Sequence, residues 1–439
     1  MHTAPRSPVN KTKDQKGVLG VLKQQGVYLI SGLIALFVLL HLGFAPDGHG
    51  LRTTGTTLLG GIAFLLMTSS VVLSTRLEVF EDLFGGLDRM YQVHRVAGVF
   101  AALFALVHFF GVPKDLPEGA DIVANLTFPS ANLGMLALIV LVIGLFVALN
   151  RKIRYSRWRP THKSMALVYV LVIGHFMSAP GIFFQQVSPS GFLLIVAAVI
   201  GVISLIYSIF GMNRRTALPF KITAVNALER ATEVVMEPVG KMLDFKPGQF
   251  AFVEVQGSNW NEPHPFTISS SPDENQLRFT MKVLGDWTRK VREDLRPGGD
   301  VLVRGPYGRF DATIAGPKQV WVAGGIGLTP FLSKMRAMPK DDSRDIHLIY
   351  AAREEPDALF LDELKDRAKE LGNVKVIPLF SERGEFARVD KMKENLPDDF
   401  AQYEFFLCGP KPMIDGISND LKKAGVSRNR IHTEAFEFR

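Results

Sequence analysis

The sequence predicts a multidomain membrane protein: a six-helix all-α transmembrane bundle, then an antiparallel β-barrel, then a doubly wound α/β nucleotide-binding domain. Three observations carry this expectation. Six apolar runs follow one another within the first 211 residues, each close to the ~20 residues a helix needs to cross a hydrocarbon core. After Arg215 the pattern changes to short β-rich runs broken by Gly and Pro. From about Pro317 strands alternate with helical stretches, the pattern of a parallel sheet.

The apolar runs lie at roughly 27–44, 56–74, 92–111, 132–149, 162–180 and 191–211. The first and fourth are uninterrupted; the third and fifth each carry two histidines. Residues 1–215 hold 18 Lys+Arg against 9 Asp+Glu, a balance of +9, whereas the remainder balances at −2. The excess sits between apolar runs, so it reads as membrane topology and not as a nucleic-acid surface. Fifteen of those cations fall in the tail and in alternate loops, against Arg52 and Lys114 in the others. The positive-inside rule then places both termini in the cytoplasm of a multi-pass protein of the inner or plasma membrane. A single cysteine, Cys408, excludes a disulfide framework and any multi-cysteine zinc or iron–sulfur site. The basic N-terminus has no apolar stretch directly behind it and does not read as a cleaved signal peptide.

These patterns divide the chain into a cytosolic tail (1–26), a transmembrane domain (27–211), a barrel (216–312) and an α/β domain (317–439). FKITAVNAL, QFAFVEVQ, FTISSS, LRFTMKVLG and VLVRGPYG are the expected barrel strands; QVWVAGG, DIHLIYAAR, VKVIPLFSE and YEFFLCGP those of the parallel sheet.

Ionisable groups inside a bilayer are costly and point to function. Segment 3 carries His94 and His108, segment 5 His162 and His175. Fourteen helical residues rise about 21 Å, so each helix has one histidine near the inner leaflet and one deeper toward the outside. The two segments run in the same direction, so His94 can face His162 and His108 can face His175, and two facing imidazoles suffice as axial ligands of a haem iron. Two b-type haems would then stack across the membrane. A spacing of 14 returns almost to one helical face, but 13 lands about 140° away, so either a kink or π-bulge in segment 5 restores the alignment or the two haems approach different sides. The alternative is histidines that bond neighbouring helices or sit at headgroup level. His41 and His49 have no such partner and read as structural, with outer-face metal contact as the other option.

In the barrel, His264-Pro265-Phe266-Thr267 offers, on one extended strand, a donor for pyrophosphate, a flat group beside an isoalloxazine and a hydroxyl near its N5. Alone this tetrapeptide fits any strand. Downstream, Lys282 to Thr288 ends a strand and opens a helix, so backbone amides from Gly285 through Trp287 to Thr288 can hold pyrophosphate. In the α/β part, Gly324, Gly325 and Gly327 with Thr329 and Pro330 form a strand-to-helix turn that lets the backbone approach a diphosphate. Arg353 and Arg383 end the next two strands, where a ribose would rest, and either can pair with a 2′-phosphate or remain a surface charge. Cys408-Gly409-Pro410 ends the last strand, as a nicotinamide-lining thiol or as a buried structural cysteine. Phe436 or Phe438 can fold over a flavin ring or close the last core.

HRVAGVF after His94, W-R-P-T-H-K around His162, HPFT, GPYG, AGGIGLTP, CGP and the terminal aromatic together resemble the NADPH oxidase / ferric reductase superfamily, over nearly the whole chain from about Val27. The six-helix length is most similar to a prokaryotic NADPH oxidase homologue. The family shows the same uneven 14 and 13 histidine spacing. The resemblance implies electrons passing from NADPH (or NADH) to FAD, to haem on His94/His162, to haem on His108/His175, and to an acceptor outside. It also implies catalytic roles near the flavin for Thr267, Cys408 and Phe436, with Phe436 the ring-stacking residue.

The leading expectation is therefore an oxidoreductase giving superoxide from O2, with reduction of a small ferric chelate as the alternative within the class. From other classes come a transporter or channel with a nucleotide-sensing domain, its histidines acting as proton relays, and an anchor subunit passing electrons to a protein partner. Nucleic acid is not an expected partner, and with no fused activating segment constitutive activity is expected.

Overall fold

The computed structural model describes residues 11–44, 51–112, 129–150, 153, 155–178, 188–211, 217–258, 260–311, 315–396 and 399–434. The expectations placed on His49, Lys114, Phe436 and Phe438 lie outside these residues. The chain divides into two compact units: Lys23–Phe84 with Arg89–Asn213, and Arg214–Arg439 with Met1–Leu22 and Gly85–Asp88.

The first unit is helical. Its elements are α1 (Lys11–Gly43), α2 (Leu51–Leu73), a short α3 (Glu78–Phe84), α4 (Leu87–Gly111), α5 (Pro129–Leu149), α6 (Tyr155–His162), α7 (Met165–Ser178) and α8 (Pro189–Ile209). Among the described residues five helices are long and apolar enough to cross a membrane, with α5 and α8 the most apolar at mean hydropathies of 2.7 and 2.8. Their outward faces carry Leu39, Phe110, Phe146 and Phe210, each at least 70% exposed. An exterior that apolar needs lipid around it. The chain is a multi-pass membrane protein.

The fifth apolar segment is interrupted, in keeping with the kink that its histidine spacing suggests. It is divided at Lys163–Ser164 into α6 and α7, with Pro160 inside α6. Proline removes one helical donor, and the chain resumes through bonds from Ala166 N to Lys163 O and from Val168 N to Ser164 O. Elsewhere local chemistry fits the helices. Ser188 caps α8, its Oγ accepting from Gly191 N at 3.0 Å, and Pro189 occupies the first turn. The interior gathers Phe37, Phe64, Leu65, Tyr169, Phe176 and Leu194. Tyr169 is fully buried, bonded to Thr68 Oγ1 at 2.9 Å, and a Cβ at Gly201 would lie 1.8 Å from its hydroxyl. Small residues of this kind bring membrane helices close.

In the second unit β1 (Ala217–Ala227), β2 (Ala231–Pro238), β3 (Phe250–Val255), β4 (His264–Thr267), β5 (Leu277–Lys282) and β6 (Asp300–Tyr307) form an antiparallel sheet ordered β4-β3-β6-β1-β2-β5. An Ile268–Phe279 bridge brings its two edges together, so the sheet closes into a barrel around Phe220, Val253, Phe279 and Val303. Two details differ from the sequence reading. Strand β2 is an addition, and the segment expected as FTISSS forms its strand two residues earlier, over His264–Thr267. A helix α9 (Asp286–Asp294) follows β5.

The remainder alternates β7 (Lys318–Gly324), α10 (Thr329–Ala337), β8 (Asp345–Ala352), α11 (Leu361–Leu371), β9 (Val374–Phe380), α12 (Val389–Lys393), β10 (Glu404–Cys408), α13 (Lys411–Lys423) and β11 (Ile431–Glu434). Its parallel sheet runs β11-β10-β7-β8-β9. Residues alternate between two cores: Trp321, Leu348, Tyr350 and Phe406 join α10 and α11 on one side, while Val320, Val322, Ile349 and Phe405 join α12 and α13 on the other. The strand order reverses between β7 and β10. In such sheets a ligand crevice opens beyond the carboxyl ends of the strands at that point.

Candidate functional site

In the membrane unit the four histidines pair as the sequence suggests. The ring centroids of His94 and His162 lie 6.0 Å apart, those of His108 and His175 6.1 Å, with interplanar angles of 73° and 75°. The break between α6 and α7 falls between His162 and His175, which supplies the turn that a 13-residue spacing lacks on a continuous helix.

Three of the rings are fixed in the same way. Nδ1 of His94 donates to Ser70 O at 2.9 Å, that of His108 to Thr56 O at 2.8 Å, and that of His175 to Ser130 O at 2.8 Å. A carbonyl oxygen only accepts, so Nδ1 carries the proton in each and Nε2 keeps a lone pair for a metal. Glycines admit two of the rings: a Cβ at Gly60 would lie 2.9 Å from His108 Nδ1, and one at Gly134 2.8 Å from His175 Nδ1. The pairs suit a metal held between two imidazoles, since two N–metal bonds of about 2.0–2.1 Å fill most of the separation. A metal held by such a pair would have two protein ligands, the number a haem iron takes from a bis-histidine site. One turn beyond His94, a Cβ at Gly98 would meet nothing within 4 Å.

His41, read as structural, is buried and bonds Thr54 O and Thr57 Oγ1, both at 3.2 Å. Arg52 donates to Gly111 O at 2.9 Å.

In the barrel, β4 places His264 and Phe266 on Trp287 of α9, with ring centroids 4.5 and 5.5 Å away. Trp287 is held by its Nε1 bond to Trp260 O at 3.0 Å. Thr267 is buried, and its Oγ1 has no partner among the described residues. A buried hydroxyl without a partner is costly, which fits a strand that offers this oxygen to a flavin. Lys282 is exposed at the end of β5. The amides proposed for pyrophosphate are partly engaged, because Thr288 Oγ1 accepts from Leu284 N at 3.0 Å and Gly285 N at 3.1 Å.

The nicotinamide segments meet at the sheet's switch point. Cys408 is level with Ala323 across β10 and β7. Gly324 ends β7, Gly325–Leu328 form one 3₁₀ turn, and Thr329-Pro330 open α10. A Cβ on Gly327 would come within 2.3 Å of Cys408 O, and one on Gly409 within 3.0 Å of Gly324 Cα; Pro410 touches the Gly324 position. These glycines are thus required by chain-on-chain packing. Cys408 itself is fully buried in the core beside Phe310, Trp321 and Phe406. Burial pushes its thiol well above its ordinary value, with Glu434 adding to the effect and Lys334 opposing it, so it stays protonated.

Three side chains of α10 went unnoticed in the sequence, where a helix with Ser, Lys and Arg looks solvated. Ser333 Oγ donates to Ser270 O at 2.7 Å, Lys334 Nζ to Phe310 O at 2.7 Å, and Arg336 to Ser269 O at 2.8 Å. They tie the helix behind the glycine turn to the segments following β4 and β6. Lys334 is buried over the Phe310 ring, and burial pulls its amine down to about 8 against the raising influence of Glu434 and Asp311.

Arg353 and Arg383 lie apart from this packed region, on the rim. Arg353 pairs with Glu354, with Asp357 at 3.4 Å and with Glu382 at 3.3 Å, while Arg383 pairs with Glu355 at 3.0 Å. Arg230 of the barrel shares Glu354 and Asp357.

Comparison with known proteins finds three family matches along the chain. Residues 59–173 match the family described as ferric reductase like transmembrane component, 218–311 an FAD-binding domain and 321–419 an oxidoreductase NAD-binding domain. Among curated proteins, the xylene/toluene monooxygenase electron transfer component XylA of Pseudomonas putida is 29% identical over 214 residues, 46% of this chain and 61% of that protein. The flavohemoprotein of Rhizobium meliloti is 26% identical over 229 residues, 47% of this chain and 56% of the relative. The chain therefore spans little more than half the length of these relatives. The crystal structure of flavohemoglobin from Malassezia yamatoensis, with bound FAD and heme, aligns at a TM-score of 0.50 and 20% identity, covering 88% of this chain and 99% of that one. At that identity the likeness is one of fold.

Proposed function

We propose that the chain, which carries the domains of the NADPH oxidase / ferric reductase superfamily, is a transmembrane NAD(P)H-dependent oxidoreductase that sends electrons from cytosolic NAD(P)H through FAD and two b-type haems to an acceptor on the outer face. The proposed acceptor is O2, giving superoxide, and a small ferric chelate is the alternative. The observation that carries the proposal is the pair of histidine pairs, each about 6 Å across, with three of the four rings fixed through Nδ1. A structural histidine needs only one bond to a neighbouring helix; His94, His108 and His175 have that bond and each also lies about 6 Å from another imidazole.

Bound flavin takes a hydride as an electron pair and returns electrons singly, and bis-histidine haem carries them one at a time. The protein's own part is positioning. His264, Phe266 and Trp287 form the flat wall beside the proposed flavin site, and Thr267 supplies a buried hydroxyl there. The turn of Gly324, Gly325 and Gly327, packed on Cys408-Gly409-Pro410, sets the crevice for nicotinamide. A haem, if bound, would be held by the two histidines of a pair and would supply one-electron transfer, and with both histidines engaged the acceptor would be reduced without binding the metal. We propose cytoplasmic termini and a cell-membrane location on the loop charges alone.

The experiment is a difference spectrum of the purified full chain, dithionite-reduced minus oxidised, repeated with NAD(P)H as reductant. Two low-spin haems per chain, reduced by NAD(P)H only when FAD is present, are expected. A colourless protein would overturn the proposal in favour of a transporter whose histidines relay protons.

The charges at the rim bear on nucleotide choice. Arg353, Arg383 and Arg230 face Glu354, Glu355, Asp357 and Glu382, so a 2′-phosphate must displace a carboxylate, whereas a ribose hydroxyl can bond one. We expect the kcat/KM values for NADPH and NADH to lie within roughly tenfold of each other, about 1.4 kcal/mol. Glu382→Gln, which frees part of Arg353, should move the ratio roughly three- to tenfold toward NADPH. An unchanged ratio would place the ribose elsewhere.

A further inference from the structure

One histidine differs from the other three. Among the described residues nothing accepts a hydrogen bond from His162 Nδ1, which is buried, whereas His94, His108 and His175 each give that proton to a carbonyl. What holds His162 is an aromatic plane. Trp158, four residues earlier on α6 and hence one turn away on the same face, lies parallel to it with centroids 5.1 Å apart and 16° between the planes. The helix is short and ends at His162, before the break at Lys163–Ser164. Within it, Thr161 Oγ1 donates to Trp158 O at 2.7 Å. Without that stack the imidazole has no described bond to stop it turning about its side-chain torsions.

Resting on the di-haem assignment above, we propose that Trp158 is a positioning residue for His162, and that stacking replaces the carbonyl bond used by the other three ligands. Two consequences follow. A carbonyl that accepts from Nδ1 makes the other ring nitrogen a more basic donor, so the His94/His162 pair combines one strengthened ligand and one ordinary one, while both ligands of the His108/His175 pair are strengthened. The orientation of the inner pair then depends on a side chain that can be exchanged, whereas the outer pair depends on backbone carbonyls, which substitution does not remove. Damage at Trp158 should therefore be confined to one haem of the two.

The test uses the purified full chain and three proteins: wild type, Trp158→Phe, which keeps a flat partner, and Trp158→Met, which fills space without a plane. The readouts are haem per chain, the low-spin electron paramagnetic resonance spectrum and a potentiometric titration. In the wild type, the near-perpendicular rings of both pairs should give strongly anisotropic signals. Losing an outer partner of a metal-bound histidine typically weakens metal binding 10–100-fold. Trp158→Met should therefore lower haem per chain from two toward one, or shift one of the two signals and its potential while the other stays fixed. Trp158→Phe should restore most of the wild-type behaviour.

Both variants matching wild type would overturn the inference. So would Phe and Met perturbing the protein equally, since bulk and not stacking would then be at work, or a change in both haems together. Should Trp158→Met fail to accumulate, Trp158→Leu takes its place with the same expectation, loss or shift of one haem signal, and a wild-type spectrum in that variant overturns the inference. A wild-type protein with no haem would overturn the di-haem assignment itself, a result distinct from any of these.

Discussion

His108→Ala is expected to remove one haem per chain and to lower electron delivery to an outside acceptor by more than ~100-fold, while NAD(P)H oxidation with a soluble dye stays near the wild-type rate. His108 pairs with His175 at 6.1 Å and spends its Nδ1 on Thr56 O. Its removal leaves a single protein ligand at that level of the membrane and no second imidazole within reach among the described residues. The competing explanation is that the His108–Thr56 bond is only a staple between α4 and α2. A staple of that kind is worth about 1–3 kcal/mol when its partner is left unpaired, and its loss would lower the melting temperature without touching the visible spectrum. Spectrum and stability therefore separate the two. Loss of one haem signal with flavin activity retained assigns His108 to the electron path, whereas an unaltered spectrum with a less stable protein returns it to structure. His94→Ala should give the same dye-reductase phenotype through loss of the other signal.

The membrane half was legible because its information is compositional. Long apolar runs, loop cations and two histidines on each of two segments need no knowledge of packing. The histidine geometry was half legible: the 13-residue spacing is met either by a break or by haems on different sides, and nothing in the sequence reading singles out Pro160 and Lys163–Ser164 as the place of a break. Trp158 stood in view, yet stacking on His162 is a side-chain contact that no spacing rule reports.

In the soluble half, β2 escaped because Glu233 interrupts an apolar strand. That glutamate is 4% exposed and receives Asn226 Nδ2 at 3.0 Å, with Arg278 and Arg336 nearby. Its charge is paired inside the protein, so polarity misreported its position. Lys334 misled in the same way. A lysine on a helix reads as solvated, but Gly248, whose φ is +95°, has no side chain where a Cβ would lie 2.2 Å from the amine. Both residues are explained only by contacts distant in sequence.

The glycine turn was found for a reason the structure alters. Gly324, Gly325 and Gly327 were read as making room for a diphosphate, but at Gly327 the space is already filled by protein. A Cβ there would lie 2.3 Å from Cys408 O, 2.5 Å from its carbonyl carbon and 2.7 Å from Gly409 N. The opposing atoms are backbone and cannot yield, because Cys408 is bonded into β10 between β7 and β11. Gly327→Ala must push the turn outward by something on the order of 1 Å, and a misplacement of that size costs about 100-fold in rate. NAD(P)H-dependent flavin reduction should fall by about that factor, with dithionite reduction of the same protein unaffected. Gly325→Ala provides the contrast. A Cβ there would meet nothing within 4 Å, and only its φ of +53° opposes a side chain, at a cost of about 1–2 kcal/mol to the folded state. If the turn is shaped by its contact with Cys408, Gly325→Ala should lower stability slightly and leave flavin reduction within a few-fold of wild type. If Gly325→Ala proves as damaging to NAD(P)H oxidation as Gly327→Ala, the nucleotide itself must come against the open side of the turn, and the diphosphate reading is restored for that glycine alone.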